Sequence, residues 1–276
     1  MNHPVRENSI KLSVHWNSRV LRRVTAAFAV IACALILYAW QVEPFWIEVS
    51  HHRIVAGLKS PIRLMVLCDL HTRGFGRLEK RVLEDINSEH PDLIVVIGDC
   101  FTPGADHTAA HQLLSQLKAP LGVWLVRGNW ENWNPVADEP AFYGSAGVRL
   151  LVNSNGAPRA DLSIVGFDDP WTGQPSLELA EKNLPEKTYR IAIFHSPIYF
   201  DEIAGRYPLC LAGHTHGGQL KFPIIGPLWL PGGCGRYLEG WYERNGSKLY
   251  VSRGVGTSVL PIRFLCRPEI PVITLN

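Results

Sequence analysis

Five apolar runs in this chain share one kind of ending. RLMVLCDLH (63–71), PDLIVVIGDC (91–100), the run 121–126 leading into RGN (127–129), YRIAIFH (189–195) and LCLAGHTH (209–216) each close on Asp, Asn or His. Near-continuous apolar runs of this length read as strands of a sheet covered on both faces. Apolar residues at helical spacing around 78–90, and helical stretches over 107–118, part of 136–147 and 176–183, lie between them, which predicts βαβ units and an α/β fold. Further strands are expected near 148–152, 161–167, 248–252 and 270–275. In open α/β sheets ligands bind at the carboxyl ends of the strands. In extended backbone, residues i and i+2 share a face, so His214 and His216 project together from such an end.

Asp69, His71, Asp99, Asn129, His195, His214 and His216 are seven donors, too many for one ion and suited to two. Oxygen donors mixed with imidazole suit Mn²⁺, Fe²⁺, Zn²⁺ or Mg²⁺ rather than a thiophilic metal. A carboxylate such as Asp99 can bridge two ions, and such a pair activates a water and clamps a phosphoryl group for in-line attack. Taken singly, His195 is an ordinary core histidine, Gly98-Asp99 a common turn and Asn129 a common cap. Their joint order is what carries the reading.

The series DLH (69–71), GD (98–99), GN (128–129), His195 and GHTH (213–216) resembles the signature of calcineurin-like metallophosphoesterases. GHTHGGQL (213–220), RGVG (253–256), RPEI (267–270) and EPFWIE (43–48) extend the resemblance over 43–276, to the small membrane-associated phosphodiesterases of that superfamily. The resemblance implies a four-layer αββα sandwich and two divalent ions. One would be held by Asp69, His71, Asp99 and His216, the other by Asp99, Asn129, His195 and His214. Mn²⁺ is the expected ion, with Zn²⁺, Fe²⁺ and Mg²⁺ as alternatives. Asp69, Asp99, Asn129 and His214 form the expected catalytic set, and Trp130, Arg73 and Gln219 are expected to contact substrate.

One departure stands out. Where the family writes Gly-Asn-His-Asp/Glu this chain has GNWE, with Trp130 in place of the histidine. An indole has one N–H donor and transfers no proton near neutral pH. Either the substrate carries a good leaving group, or another residue takes over, with His107, His111, Arg73 and Arg127 as candidates, or catalysis is weak. Arg77 is a second loop charge beside the first motif. His51 and His52 are expected to do no chemistry.

The uncharged run 24–40, extended to Val42, makes a helix of roughly 28 Å, close to the hydrocarbon thickness of a bilayer. Arg6, Lys11, Arg19, Arg22 and Arg23 precede it against Glu7 alone, and Trp40, Phe45 and Trp46 are placed for the headgroup level. The expected organisation is therefore a basic cytoplasmic segment (1–23), an inner-membrane anchor (24–42) and a catalytic domain on the extracytoplasmic side (43–276). A cleaved signal peptide is the alternative, and Arg22-Arg23 match a twin-arginine signal poorly. Net charge of +2 argues against a nucleic-acid partner. Of six cysteines one, Cys33, lies in the apolar run, and the remaining five form no CxxC. The expected partners are the membrane and a phosphodiester or pyrophosphate substrate, lipid-linked in one reading; no protein partner is indicated. A nucleotide–lipid pyrophosphatase acting on a UDP-diacylglucosamine is one alternative function, and a catalytically weak metal-dependent binding protein is another.

Overall fold

The uncharged run is helical. In a computed structural model, which describes residues 18–102, 104 and 107–276, α1 spans Ser18–Gln41, and among its residues Ala39 is the buried one. By length and composition α1 suits either a membrane anchor or a signal sequence. Arg6 and Lys11 of the expected basic segment lie outside the described residues. The chain divides into two units, Met1–Tyr38 and Ala39–Asn276.

The larger unit alternates strands with helices as expected. Its elements run β1 (Glu48–Ile54), β2 (Ile62–Cys68), α2 (Arg77–Glu89), β3 (Leu93–Ile97), α3 (His107–Leu114), β4 (Val123–Val126), α4 (Asn129–Trp133), α5 (Glu139–Ser145), β5 (Val148–Leu150), β6 (Ser154–Arg159) and β7 (Leu162–Gly166). They continue through α6 (Leu177–Ala180), β8 (Tyr189–Ile193), α7 (Phe200–Ile203), β9 (Leu209–Ala212), β10 (Lys221–Phe222), β11 (Gly226–Pro227), β12 (Gly240–Arg244), β13 (Ser247–Val251) and β14 (Glu269–Leu275). One six-stranded sheet has the order β1-β14-β2-β3-β4-β5, and a second has β12-β13-β9-β8-β7-β6. β2 to β5 are parallel, as are β7, β8, β9 and β13.

The alternation of side chains along each strand divides the core into layers. Leu64, Val66, Val95 and Ile97 of one sheet meet Ile164, Ile191, Ile193 and Leu211 of the other. The opposite face of the first sheet, including Met65, Leu67 and Val96, packs on Val82 and Ile86 of α2 and Leu113 of α3. The opposite face of the second, including Ala192, Cys210 and Val251, packs on Ala180, Phe200 and Ile203. This is the αββα sandwich, and the carboxyl ends of β2, β3, β4, β8 and β9 all issue at its central seam.

Two helices are shorter than expected: α3 stops at Leu114 and α6 is four residues long, while α5 covers part of 136–147 as expected. Strands β1, β6 and β12 and the β10–β11 hairpin were not expected. β1 carries Glu48, Ser50, His51, His52 and Arg53 on a largely exposed sheet edge, a composition that gives no apolar signal.

Candidate metal centre

The six predicted Asp and His ligands converge in two buried groups among the described residues. Asp69, His71 and His216 form one and Asp99, His195 and His214 the other, with the potential ligand atoms of each group within 4.8 Å of one another. Asp99 Oδ2 stands between them, 3.5 Å from His71 Nε2 and 3.2 Å from His195 Nε2. Asp69 Oδ1 likewise lies 3.5 Å from His216 Nε2 and 3.8 Å from His195 Nε2. Asn129, the seventh expected ligand, is buried at the start of α4, and its Oδ1 has no hydrogen-bond partner among the described residues.

The backbone is bent to bring these side chains inward. Asp69, His71, Asp99, His214 and His216 all adopt positive φ, between 44° and 72°. Each such residue costs of order 1–3 kcal/mol, and strain of this kind gathers at functional sites. Two glycines permit the crowding. A Cβ on Gly98 would meet the Gly128 nitrogen at 2.4 Å, and one on Gly128 would meet Asp99 Oδ1 at 2.2 Å.

The groups around the ligands fix their roles. Trp130 N–H donates to Asp99 Oδ1 (3.0 Å), which leaves Oδ2 turned to the two imidazoles. His195 Nδ1–H donates to the Ile97 carbonyl at 2.8 Å, so Nε2 is the atom that faces the centre. His214 Nε2 meets the Gly232 carbonyl, which leaves Nδ1 as its inward atom, 3.1 Å from His195 Nε2. His71 and His216 meet Nε2 to Nε2 at 3.0 Å, and neither Nδ1 has a partner among the described residues. Two imidazoles meeting in that way share at most one proton, while each Nε2 also faces a carboxylate oxygen. A divalent cation fits this donor set, which holds more lone pairs than protons.

Burial lowers His71 to about 4 and His214 to about 4, so both are neutral and ready to ligate. Burial raises Asp69 to about 7, with His195 opposing and Asp99 adding to the rise. His195 goes the other way: burial opposes its charge, but Asp99 and then Asp69 hold it well above its ordinary range.

The expected substrate contacts divide. The Trp130 ring stands edge-on to His71, with centroids 5.8 Å apart, and Arg73 lines the same opening as His71. The Gln219 amide donates to the Ser258 and Leu260 carbonyls and accepts from Ser258 N–H, so it braces that loop, and Gln219 lines one opening with His216. Among the candidates for a substitute acid, His107 bonds Asn134, His111 bonds Ser145, and Arg127 pairs with Glu139. Arg77 donates to the Gln41 carbonyl.

Sequence reasoning passed over three residues. Glu131, within the quoted GNWE, is a buried carboxylate that accepts N–H bonds from Asp99, Cys100 and Gly128. Trp171 lies 5.3 Å from His214, centroid to centroid. Arg263 is fully buried and donates to the carbonyls of His216, Arg253, Gly254, Gly256 and Cys266. Only Glu131 carried a signal, its place three residues after Gly128 at a helix start.

Two sheets with paired acidic and imidazole clusters at their strand ends have the makings of a metal-dependent enzyme. Residues 62–218 match the calcineurin-like phosphoesterase family, and the chain belongs to it. It is 33% identical over 263 residues to the uncharacterized metallophosphoesterase YkuE of Bacillus subtilis, covering 87% of this chain and 89% of that one. It is 31% identical over 256 residues to phosphodiesterase YaeI of Escherichia coli, covering 86% of this chain and 92% of that one. A transmembrane protein with metallophosphoesterase domain from Bos taurus is 29% identical over 255 residues, covering 83% of this chain and 56% of its own length.

Proposed function

We propose that this protein is a two-metal phosphodiesterase, held at the inner membrane by α1 with its catalytic unit on the extracytoplasmic side. The observation that carries the reading is Asp99 Oδ2, flanked by a histidine of each buried group. Asp69, His71, Asp99 and His216 would hold one ion, and Asp99, Asn129, His195 and His214 would hold the other. When bound, two divalent ions supply a nucleophile at neutral pH and neutralise charge on the phosphoryl oxygens. The chain's part is to hold Asp99 by the Trp130 N–H and to fix the His195 and His214 tautomers through backbone carbonyls. The name of the YaeI relative supports a diester over a monoester. Hydrolysis of bis-p-nitrophenyl phosphate by the full chain, metal-stripped and then given Mn²⁺, Mg²⁺ or Zn²⁺, tests the reading. Two bound ions without turnover on any of the three would favour a metal-dependent binding protein instead.

Binding itself is expected in two steps. The site of His195 and His214 has its tautomers fixed and the site of His71 and His216 does not. Such supporting bonds are worth about 10- to 100-fold in affinity. Mn²⁺ titration followed by electron paramagnetic resonance should resolve the two steps, and a single step of stoichiometry one would contradict them. Affinity should fall from pH 8 to pH 6, because Asp69, raised to about 7, must lose its proton to ligate. The sign for stability follows from the same shift. Protonated Asp69 stabilises the metal-free fold in acid, and that contribution is lost as pH rises through about 7. The rise in Tm on adding Mn²⁺ is therefore expected to be larger at pH 8 than at pH 6.

Trp130 favours a second substrate reading, a phosphoanhydride such as a nucleotide–lipid pyrophosphate, whose leaving group needs no acid. A Trp130→His variant should gain about 10²-fold on alkyl phosphodiesters, the usual worth of a placed acid, and change little on anhydrides. Equal gains on both substrate types would remove the leaving-group argument.

A further inference from the structure

Next to the metal centre lies an apolar surface that the chemistry above does not use. A groove of about 300 Å³ opens at Thr215 and His216, a volume at the small end of ligand sites. One wall is Leu220 together with Leu228 and Trp229, which follow the β10–β11 hairpin; the other is Val259 and Leu260. Leu228, Trp229, Val259 and Leu260 are all more than half exposed, as are Ile224 and Ile225 at the hairpin tip. A contiguous apolar surface of this kind marks a binding groove or a membrane contact.

The groove is built rather than incidental. Gln219 clamps the 258–260 wall through three hydrogen bonds. The same stretch is tied to the metal-ligand loop, because buried Arg263 donates to the His216 carbonyl. It is also tied to the end of the apolar segment. Arg263 N–H donates to the Ala39 carbonyl, and the Glu43 carboxylate accepts from Leu265 and Cys266 N–H. One wall thus connects the metal centre to the residues where the chain leaves its apolar run.

We propose that this groove receives one acyl chain of a phospholipid-type substrate whose phosphodiester lies at the metal centre. The assignment rests on the phosphodiesterase reading above. Continuity with the His216 loop and with Ala39 argues for a lipid tail over a peptide or a second copy of the chain.

The test uses full chain in an amphipathic polymer and p-nitrophenyl alkyl phosphates from methyl to octyl, each kept below its micellar concentration. For the wild type kcat/KM should rise about fourfold per added methylene over the first carbons, equivalent to ~0.8 kcal/mol each. Leu228→Gln and Leu260→Gln alter exposed positions, so the core is left intact. Each should lose at least tenfold on the octyl ester and leave the methyl ester unchanged. A flat chain-length series in active wild type would overturn the groove and leave the phosphodiesterase standing. Absence of turnover on every ester would overturn the catalytic reading alone, since binding of octyl against methyl phosphate by calorimetry reads the groove without catalysis. Equal affinities there would overturn the groove as well.

Discussion

Asp99→Ala is expected to lower kcat/KM on bis-p-nitrophenyl phosphate by at least ~10³-fold and to remove one or both bound ions. Asp99 is 1% exposed, and its Oδ2 faces a histidine of each group at 3.5 and 3.2 Å, a closer approach than that of Asp69 Oδ1 to His216 and His195 at 3.5 and 3.8 Å. A charge lost there is lost to both sites at once. Asp99→Asn is the milder change, because its Oδ1 still accepts the Trp130 N–H while the charge is gone. The Asp99 charge repels Asp69 but also holds His195 protonated at 3.2 Å, and against burial His195 in turn holds Asp99 below its ordinary range. Metal-free Asp99→Asn should therefore melt below wild type, since the His195 charge loses its partner, and the ion count beside the kinetics carries the functional test. Mass-spectrometric ion counting beside the kinetics checks this. Full activity with two ions retained would exclude Asp99 as the shared ligand.

The centre was legible because its chemistry is written at strand ends. Five apolar runs named the buried strands, and four of the polar endings fall in the two buried Asp/His groups; β2, β3, β4, β8 and β9 lie where those runs lie. The edges were not legible for the opposite reason. β1 pairs with β14 more than two hundred residues away, and its half-exposed residues satisfy backbone hydrogen bonds without an apolar pattern. Helix α3 ends at Leu114 although Leu117 still packs on the core, so an apolar spacing that continues does not mark where a helix stops. Arg263 was invisible for a further reason. It meets backbone carbonyls, which every residue has, so no partner residue type announces it. Gln219 sits in the GHTHGGQL run, but the run gave no sign that its amide donates to the Ser258 and Leu260 carbonyls.

Glu131→Gln is expected to lower the Tm of the metal-free protein by some 4–8 °C, corresponding to about 2 kcal/mol in a domain of this size. Glu131 is fully buried; its Oε2 accepts from Asp99 N–H (2.8 Å) and Gly128 N–H (2.7 Å), and its Oε1 from Cys100 N–H (2.7 Å). Those bonds tie the turn after β3 to the start of α4, and so set Asp99 in its positive-φ conformation beside Asn129. A glutamine supplies one oxygen for three donors and turns an NH₂ toward the rest. At least one buried N–H is then unsatisfied, at about 1–3 kcal/mol. Activity should drop about 10- to 100-fold as well, the usual cost when a group that orients a ligand is lost. The pH dependence separates this role from simple loss of packing. Burial raises Glu131 to about 7, with Asp99 adding to it, so its protonated form stabilises the fold in acid and that contribution is lost as pH rises through about 7. The gap in Tm between wild type and Glu131→Gln should therefore narrow from pH 6 to pH 8. A gap that stays constant, with activity intact, would mean that Glu131 fills space and does not hold Asp99.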